Sequence, residues 1–202
     1  MTARTDDLPE FTKPAWRRRL LAARAATEPA VRAHRALALT RGVLAVAAET
    51  GGPVCAYVAV DTEPWSVDGL DALRDAGHEV LLPVVPARPG PLDWARYAGP
   101  GSLVPARFGL REPGGAPLGP AAVGEARLVL VPGLAVDRAG VRLGRGAGHY
   151  DRTLPLVSAG VPLMMILNDD ELVDALPAEP HDHAVTGVLR PASGHTPLGK
   201  NG

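Results

Sequence analysis

The first quarter of the chain carries apolar residues at the spacing of two helices. From Lys13 to Ala26 they recur every three or four positions among arginines, which predicts an amphipathic helix. Thr27-Glu28-Pro29 restarts the chain, and the alanine-rich stretch from Ala30 to Glu49 predicts a longer helix that two glycines end. The polar residues 1–12 before these helices are expected to form a flexible tail.

After residue 52, apolar runs of strand length alternate with helical segments. The predicted strands cover residues 54–60, 78–85, 128–132, 163–167 and 185–189. The predicted helices cover residues 67–76, a segment that starts near 149, and 169–176. Residues 86–120 are rich in proline and glycine and are interpreted as a long, partly ordered connection.

This alternation predicts the fold class. Continuous apolar strands joined by helices indicate a single-domain α/β protein whose largely parallel twisted sheet has helices on both faces, a Rossmann-like three-layer sandwich. The domain is expected to span residues 13–190, with residues 191–202 as a second flexible tail. Ligands of such sheets bind at the carboxyl ends of the strands, which directs attention to the segments after Val60, Val85 and Val131.

Composition and charge narrow the classes of function. The 202 residues include 46% hydrophobic and 21% charged residues, which is typical of a globular protein. Lys and Arg number 21 against 22 Asp and Glu, so the strong basicity of a nucleic-acid-binding protein is absent. Cys55 is the single cysteine and excludes an internal disulfide. No apolar stretch reaches the roughly 18 residues of a membrane span, and no signal peptide is expected, so a cytoplasmic protein without membrane or nucleic-acid partners is predicted.

The segment from Pro132 to Asp151 carries the clearest chemistry in the sequence. Glycines alternate with other residues between 144 and 148, directly before a predicted helix, so backbone N–H groups can approach an anion there. Arg142 and Arg145 can each donate two parallel hydrogen bonds to phosphate or carboxylate oxygens, and the nearby carboxylate of Asp151 can hold Mg²⁺. The alternative is a tight turn that needs glycine for its backbone angles alone. The pattern is neither a P-loop nor a dinucleotide-binding fingerprint.

This segment resembles the signature of the 5-formyltetrahydrofolate cyclo-ligase family, whose members are also named 5,10-methenyltetrahydrofolate synthetases. The signature has the form P-G-x-x-x-D-x-x-G-x-R-L-G-x-G-x-G-x-Y-D, and residues 132–151 match it nearly throughout. Weaker matches extend the resemblance from Lys13 to about Leu189. They comprise Lys13 with Arg17, and the segments 57–63, 109–113 and 176–182.

The resemblance implies a ligase that forms a C–N bond. Such an enzyme would cyclise 5-formyltetrahydrofolate to 5,10-methenyltetrahydrofolate, with ATP as co-substrate, Mg²⁺ as cofactor, and ADP and phosphate as further products. Phosphorylation of the formyl oxygen would turn it into a leaving group, and N10 would then attack the activated carbon. Catalysis of this kind depends on positioning and on charge stabilisation around the transferred phosphoryl group. A cytoplasmic monomer is expected.

The resemblance also implies a role for each matched residue. Lys13 and Arg145 would be catalytic, and Asp151 and Asp182 would bind Mg²⁺. The reduced folate would contact Arg17, Val58, Glu63, Arg145, Gly146, Ala147, Gly148 and His149. ATP would contact Lys13, Arg17, Arg142, Leu143, Gly144, Arg145, Gly146, Ala147, Gly148, His149 and Tyr150.

Other interpretations of these residues remain open. Lys13 and Arg17 lie four residues apart and can form a solvated helix face, while Glu63 and Asp182 can simply stabilise turns. His149 and Ala147 depart from the residues common in the family, which leaves a non-catalytic nucleotide- or folate-binding protein on the same scaffold as an alternative. A relative of sugar-phosphate isomerases or acyl-CoA transferases is a third possibility, but it gives Lys13 and the carboxylates no role.

Overall fold

The computed structural model of the protein describes residues 11–179 and 182–199. Its α-helices are α1 (Lys13–Ala26), α2 (Pro29–Thr50), α3 (Val67–Asp75) and α4 (His149–Thr153). Its strands are β1 (Val54–Cys55), β2 (Val80–Val84), β3 (Asp93–Arg96), β4 (Leu103–Pro105), β5 (Arg111–Pro113), β6 (Leu128–Val131), β7 (Ala135–Asp137), β8 (Arg142–Leu143), β9 (Leu163–Ile166), β10 (Leu172–Val173), β11 (Gly187–Arg190) and β12 (Gly194–Pro197). No helix in these described ranges is long and apolar enough to cross a membrane.

Seven strands form the central sheet in the order β12-β11-β9-β6-β1-β2-β3. The inner strands β11, β9, β6, β1 and β2 run parallel, and the edge strands β3 and β12 are antiparallel to their neighbours. The chain proceeds from β1 to β2 on one side and from β6 through β9 to β11 on the other. The strand order therefore reverses between β1 and β6, where sheets of this kind bind ligands.

Both faces of the sheet are covered, because side chains along each inner strand alternate between the two faces. In β6, Leu128 and Leu130 pack in the same core cluster as residues of α2 and α3. Val129 and Val131 point to the other face and pack against Trp94, the 3₁₀ segment Pro120–Glu125 and Leu154. The predicted fold class, an α/β protein with a largely parallel sheet and helices on both faces, is confirmed.

A third, smaller cluster joins α1 to the rest of the protein. Leu20 of α1 packs with Leu134, Leu143 and Leu176. Leu134 and Leu143 lie at the base of the β7–β8 hairpin, which forms a three-stranded sheet with β10. This cluster places the first helix directly against the segment that contains the glycine-rich loop.

Most predicted elements are confirmed. α1 has the predicted bounds, α2 and α3 begin and end within one residue of the prediction, and α4 begins at His149. The first strand is shorter than expected, since β1 ends at Cys55 and not at Val60. The residues beyond it contribute side chains to the cavity described below.

Three regions differ from the prediction. Residues 86–120 contain β3 and the β4–β5 hairpin, so this connection is more ordered than expected. The predicted helix over 169–176 is wrong, because a 3₁₀ turn over Asp169–Glu171 leads into β10, which pairs with β7. The expected tail from residue 191 instead contributes β12, which pairs with β11; residues 200–202, like residues 1–10, lie outside the described part of the chain.

Candidate active site

A cavity of about 330 Å³ opens where the strand order of the sheet reverses. Its walls come from the segments that follow β1, β2 and β6, from α1, and from the loop between β8 and α4. Every residue that the sequence analysis assigned to a site lines it: Lys13, Arg17, Val58, Glu63, Arg142, Leu143, Gly144, Arg145, Gly146, Ala147, Gly148, His149, Tyr150, Asp151 and Asp182. The fold thus brings together segments from both ends of the chain.

The glycine-rich loop between β8 and α4 presents backbone donors at the cavity. Gly146 and Gly148 have positive φ angles of 104° and 69°, which glycine adopts without strain. The backbone N–H groups of residues 144–148 donate no hydrogen bond to another described residue. Ala147 has no positive φ, so its methyl group adds no backbone strain. The loop therefore has free donors for an anion, although α4 is too short to add much dipole.

Arg142 lies on the floor of the cavity beneath this loop. Its guanidinium forms an ion pair with Asp151 and lies 5.8 Å from the centre of the Tyr150 ring. Its Nε has no hydrogen-bond partner in the described ranges. Burial raises the pKa of Tyr150, so its hydroxyl stays neutral and available as a donor. Arg142 is thus an orientated cation with a spare donor.

Arg145 connects the loop to the end of β1. Its Nε lies 3.2 Å from Oε1 of Glu63, and its Nη1 lies 3.2 Å from Oδ2 of Asp61. The other oxygen of Glu63 accepts the backbone N–H of Val60 at 3.0 Å. Burial raises the pKa of Glu63, while the Val60 N–H and the Arg145 charge act to lower it. Glu63 is therefore a carboxylate whose charge depends on the cations around it.

Two cations of α1, Lys13 and Arg17, also line the cavity. Lys13 donates to Glu179 at 2.6 Å and to Oδ2 of Asp182 at 2.9 Å. Burial acts to lower the pKa of Lys13, but its hydrogen bonds to these carboxylates outweigh burial and the pKa is raised. Arg17 donates from Nε to the carbonyl of Gly144 at 2.9 Å, which fixes it against the loop.

The family is decided by comparison of the whole chain with known proteins. The sequence model of the 5-formyltetrahydrofolate cyclo-ligase family matches residues 10–191. The chain belongs to this family. A 5-formyltetrahydrofolate cyclo-ligase of Mycolicibacterium smegmatis is 49% identical over 187 residues, which covers 91% of this chain and 95% of that protein. The protein of the same name from Escherichia coli K12 is 31% identical over 135 residues, 66% of this chain and 72% of that one.

Solved structures agree on the fold of the cyclo-ligase family. The NMR structure of 5,10-methenyltetrahydrofolate synthetase from Aquifex aeolicus matches with a TM-score of 0.77, at 22% identity over 94% of both chains. A solved structure of a 5,10-methenyltetrahydrofolate synthetase from Mycoplasma pneumoniae matches with a TM-score of 0.69, at 19% identity over 88% of this chain and 98% of that chain. Family membership places the protein among the ligases.

Asp151 and Asp182 are suited to Mg²⁺ in a cyclo-ligase, since both offer carboxylate oxygens at the same cavity. Each already pairs with a cation, Asp151 with Arg142 and Asp182 with Lys13. Residues 11–179 and 182–199 contain no group of three or more histidine, cysteine, aspartate or glutamate side chains that could bind a metal ion. Each aspartate offers a carboxylate suited to a Mg²⁺ whose remaining ligands are water and phosphate oxygens, the usual mode of this ion beside nucleotides.

The sequence analysis gave no role to two other cavity residues. Glu112 accepts the backbone N–H of Val85 at 3.0 Å, just as Glu63 accepts that of Val60 in the segment that follows the neighbouring strand β1. Tyr57 is 4% exposed and lines the same cavity. Glu112 lies within segment 109–113, and the match of this segment to the family was the only sequence signal that Glu112 belongs to the site.

The departures from the family pattern have simple structural consequences. His149 donates from Nδ1 to the carbonyl of Gly90 at 3.3 Å, which ties the start of α4 to the segment before β3. Trp94 and Cys55 are buried and Trp65 is 4% exposed, so these three side chains belong to the core.

Proposed function

We propose that this protein catalyses the ATP- and Mg²⁺-dependent cyclisation of 5-formyltetrahydrofolate to 5,10-methenyltetrahydrofolate. The observation that carries the proposal is a single cavity with unpaired loop N–H groups, four cations and a buried carboxylate in a chain of the cyclo-ligase family. The cations are Lys13, Arg17, Arg142 and Arg145. One end of the cavity suits a triphosphate, and the other suits a ring with N–H donors.

ATP is needed because the formyl carbon on N5 is amide-like and a poor electrophile. In the first step the formyl oxygen forms a bond to the γ-phosphorus, the bond from this phosphorus to the bridging oxygen breaks, and ADP leaves. In the second step the N10 lone pair forms a bond to the activated carbon and N10 loses its proton. The C–O bond then breaks, phosphate leaves with its electron pair, and the methenyl product remains.

The loop and its arginines would bind the phosphates. The N–H groups of residues 144–148 donate to no acceptor in the described part of the chain, so they can donate to phosphate oxygens without breaking a bond seen there. Arg142 and Arg145 would stabilise the charge that spreads over the transferred phosphoryl group. Mg²⁺ would neutralise charge on the phosphate oxygens, held by Asp151 and Asp182.

The end of β1 would bind the reduced folate. The pterin ring carries N–H groups, and the ionised Glu63 carboxylate accepts such donors in charge-assisted hydrogen bonds. Val58 would pack against the ring, and Arg17 and loop residues 145–149 would lie between the two substrates. The close contact of Arg145 with Glu63 joins the two subsites. A cytoplasmic monomer is part of the same proposal.

The direct test is a spectrophotometric assay with ATP, Mg²⁺ and 5-formyltetrahydrofolate. We expect near-ultraviolet absorbance to grow as the conjugated methenyl product forms, and to stay flat without ATP. Tight binding of both substrates without any absorbance growth would instead favour the non-catalytic binding protein.

Arg145→Ala is the variant that tests the assigned chemistry. It should reduce kcat by about 10²–10³-fold, the effect of losing one donor that stabilises transition-state charge. Arg138→Ala is the matched control, because Arg138 pairs with Asp174 on the exposed surface. Equal rates for the Arg145 variant and the control would contradict the role of Arg145.

A further inference from the structure

Four residues on one face of α1 contact the rest of the protein, one after another along the helix. Lys13, Arg17, Leu20 and Arg24 follow one another at intervals of four, three and four residues, which places them on one side of the helix. The first two reach the cavity, and Leu20 packs against the base of the β7–β8 hairpin. Arg24 lies one turn further along and does not line the cavity.

Arg24 is buried and forms an ion pair with Glu171. Its Nε donates to Oε1 of Glu171 at 2.6 Å and its Nη2 donates to Oε2 at 2.9 Å. The two side chains are only 1% and 3% exposed. This bidentate geometry fixes the plane of the guanidinium.

The same guanidinium holds the start of the hairpin that leads to the glycine-rich loop. Nη2 of Arg24 donates to the carbonyl of Gly133 at 2.8 Å, and Arg17 donates to the carbonyl of Gly144 at 2.9 Å. These carbonyls lie at the two ends of the hairpin, whose base is closed by a 2.8 Å bond from the Leu134 N–H to the Leu143 carbonyl. One helix therefore fixes both ends of the segment that presents the loop.

Glu171 is itself held to the sheet. Asn168, just beyond β9, donates its backbone N–H to Oε2 of Glu171 at 2.8 Å and its side-chain Nδ2 to Oε1 at 2.9 Å. The ion pair thus connects α1 to the carboxyl end of β9 and, through Gly133, to that of β6. A shift of α1 along its axis would break these bonds together.

We propose that Arg24 and Glu171 form a positioning pair that holds Lys13 and Arg17 in register with the nucleotide-binding loop. The proposal rests on the proposed function, since it assumes that this loop binds ATP. A buried ion pair contributes little net stability compared with an apolar pair of the same volume, so stability alone does not account for it. An apolar pair, however, cannot fix the Gly133 carbonyl.

The test compares two ligands in a conservative variant. Arg24→Lys keeps the charge beside Glu171 but loses the planar fork that reaches Glu171 and Gly133 together. We expect a non-hydrolysable ATP analogue with Mg²⁺ to bind at least tenfold more weakly by calorimetry. The affinity for 5-formyltetrahydrofolate should fall by a clearly smaller factor, because its proposed contacts with Val58 and Glu63 do not depend on α1. Arg96→Lys is the matched control, because Arg96 pairs with Glu79 at the exposed far edge of the sheet.

Each other outcome is informative. A folded Arg24→Lys variant with unchanged nucleotide affinity, or with both ligands weakened equally, overturns the positioning role. If this variant does not fold, Arg24→Met with Glu171→Met replaces the pair by apolar side chains, and unchanged nucleotide affinity there overturns the role as well. Failure of the unaltered protein to bind the analogue would refute the proposed function itself, and the positioning role with it.

Discussion

Glu63 combines burial with cationic neighbours, and the balance between them sets its response to pH. Burial raises its pKa, so the folded protein takes up a proton at Glu63 more readily than the unfolded chain. The contribution of Glu63 to the free energy of unfolding should therefore increase as pH falls through this raised pKa. Folate affinity should fall over the same interval, because only the ionised carboxylate accepts both pterin donors.

Glu63→Gln should remove this pH dependence. Loss of charge-assisted hydrogen bonds should weaken 5-formyltetrahydrofolate binding by about 1.5–3 kcal/mol at neutral pH. Calorimetric titrations across the acid range measure this, with Glu79→Gln as a control for an exposed glutamate at the far edge of the sheet. If the Glu63→Gln variant loses folate affinity at low pH as the unaltered protein does, a group other than Glu63 titrates.

At the scale of elements, Lys13 joins helix α1 to the acidic side chains of Glu179 and Asp182. Lys13→Met leaves the nearly buried Asp182 without this cation and should lower the free energy of unfolding by about 1–3 kcal/mol. Nucleotide affinity should also fall, since Lys13 is one of the charges proposed to bind the phosphates. Denaturant unfolding and calorimetry measure the two effects.

Arg19→Met on the same helix is the control for this prediction. Arg19 is exposed and its guanidinium lies 4.4 Å from the centre of the Trp16 ring, away from the acidic residues. The Arg19→Met substitution should therefore have little effect on nucleotide affinity. If both variants lose nucleotide affinity to the same extent, the specific contact of Lys13 does not matter.

The elements that sequence predicts well are those with local signals. α1, α2 and α3 have helical spacing and end at turn-forming residues, and the inner strands are continuous apolar runs. β4, β5 and β10 were missed because they are two or three residues long and exist only through pairing with distant segments. β12 was missed for the same reason, since its polar residues form a strand only by pairing with β11.

The site shows the same division between local and long-range signals. The glycine-rich loop was predicted because its residue types and spacing lie in one segment. Arg24 was not predicted as a core or site residue, because its partner Glu171 lies 147 residues away. Burial of an ion pair is a property of the folded chain and has no signal in either local segment.

At the scale of the whole molecule, the site assembles only when distant parts of the chain fold together. Lys13 and Asp182 are 169 residues apart and meet at the same cavity. A ligand that binds only this assembled cavity should stabilise the entire fold. At a nucleotide concentration of 100 times its Kd, this linkage is worth about 2.7 kcal/mol, or about 5–10 °C in Tm.

Thermal unfolding with and without a Mg²⁺-bound, non-hydrolysable ATP analogue measures this stabilisation. Arg145→Ala should show a smaller rise in Tm at the same concentration, because it has lost a phosphate contact. An unchanged Tm at saturating analogue would mean that the ligand does not recognise the folded cavity.

The proposed function depends on the backbone N–H groups of residues 144–148, which would bind the phosphates of the nucleotide. NMR of the ¹⁵N-labelled protein, titrated with a Mg²⁺-bound, non-hydrolysable ATP analogue, observes these groups directly. We predict that the amide signals of Arg145, Gly146, Ala147 and Gly148 shift together and exchange more slowly with solvent as the site fills. Saturation by the analogue with these signals unmoved would contradict the account.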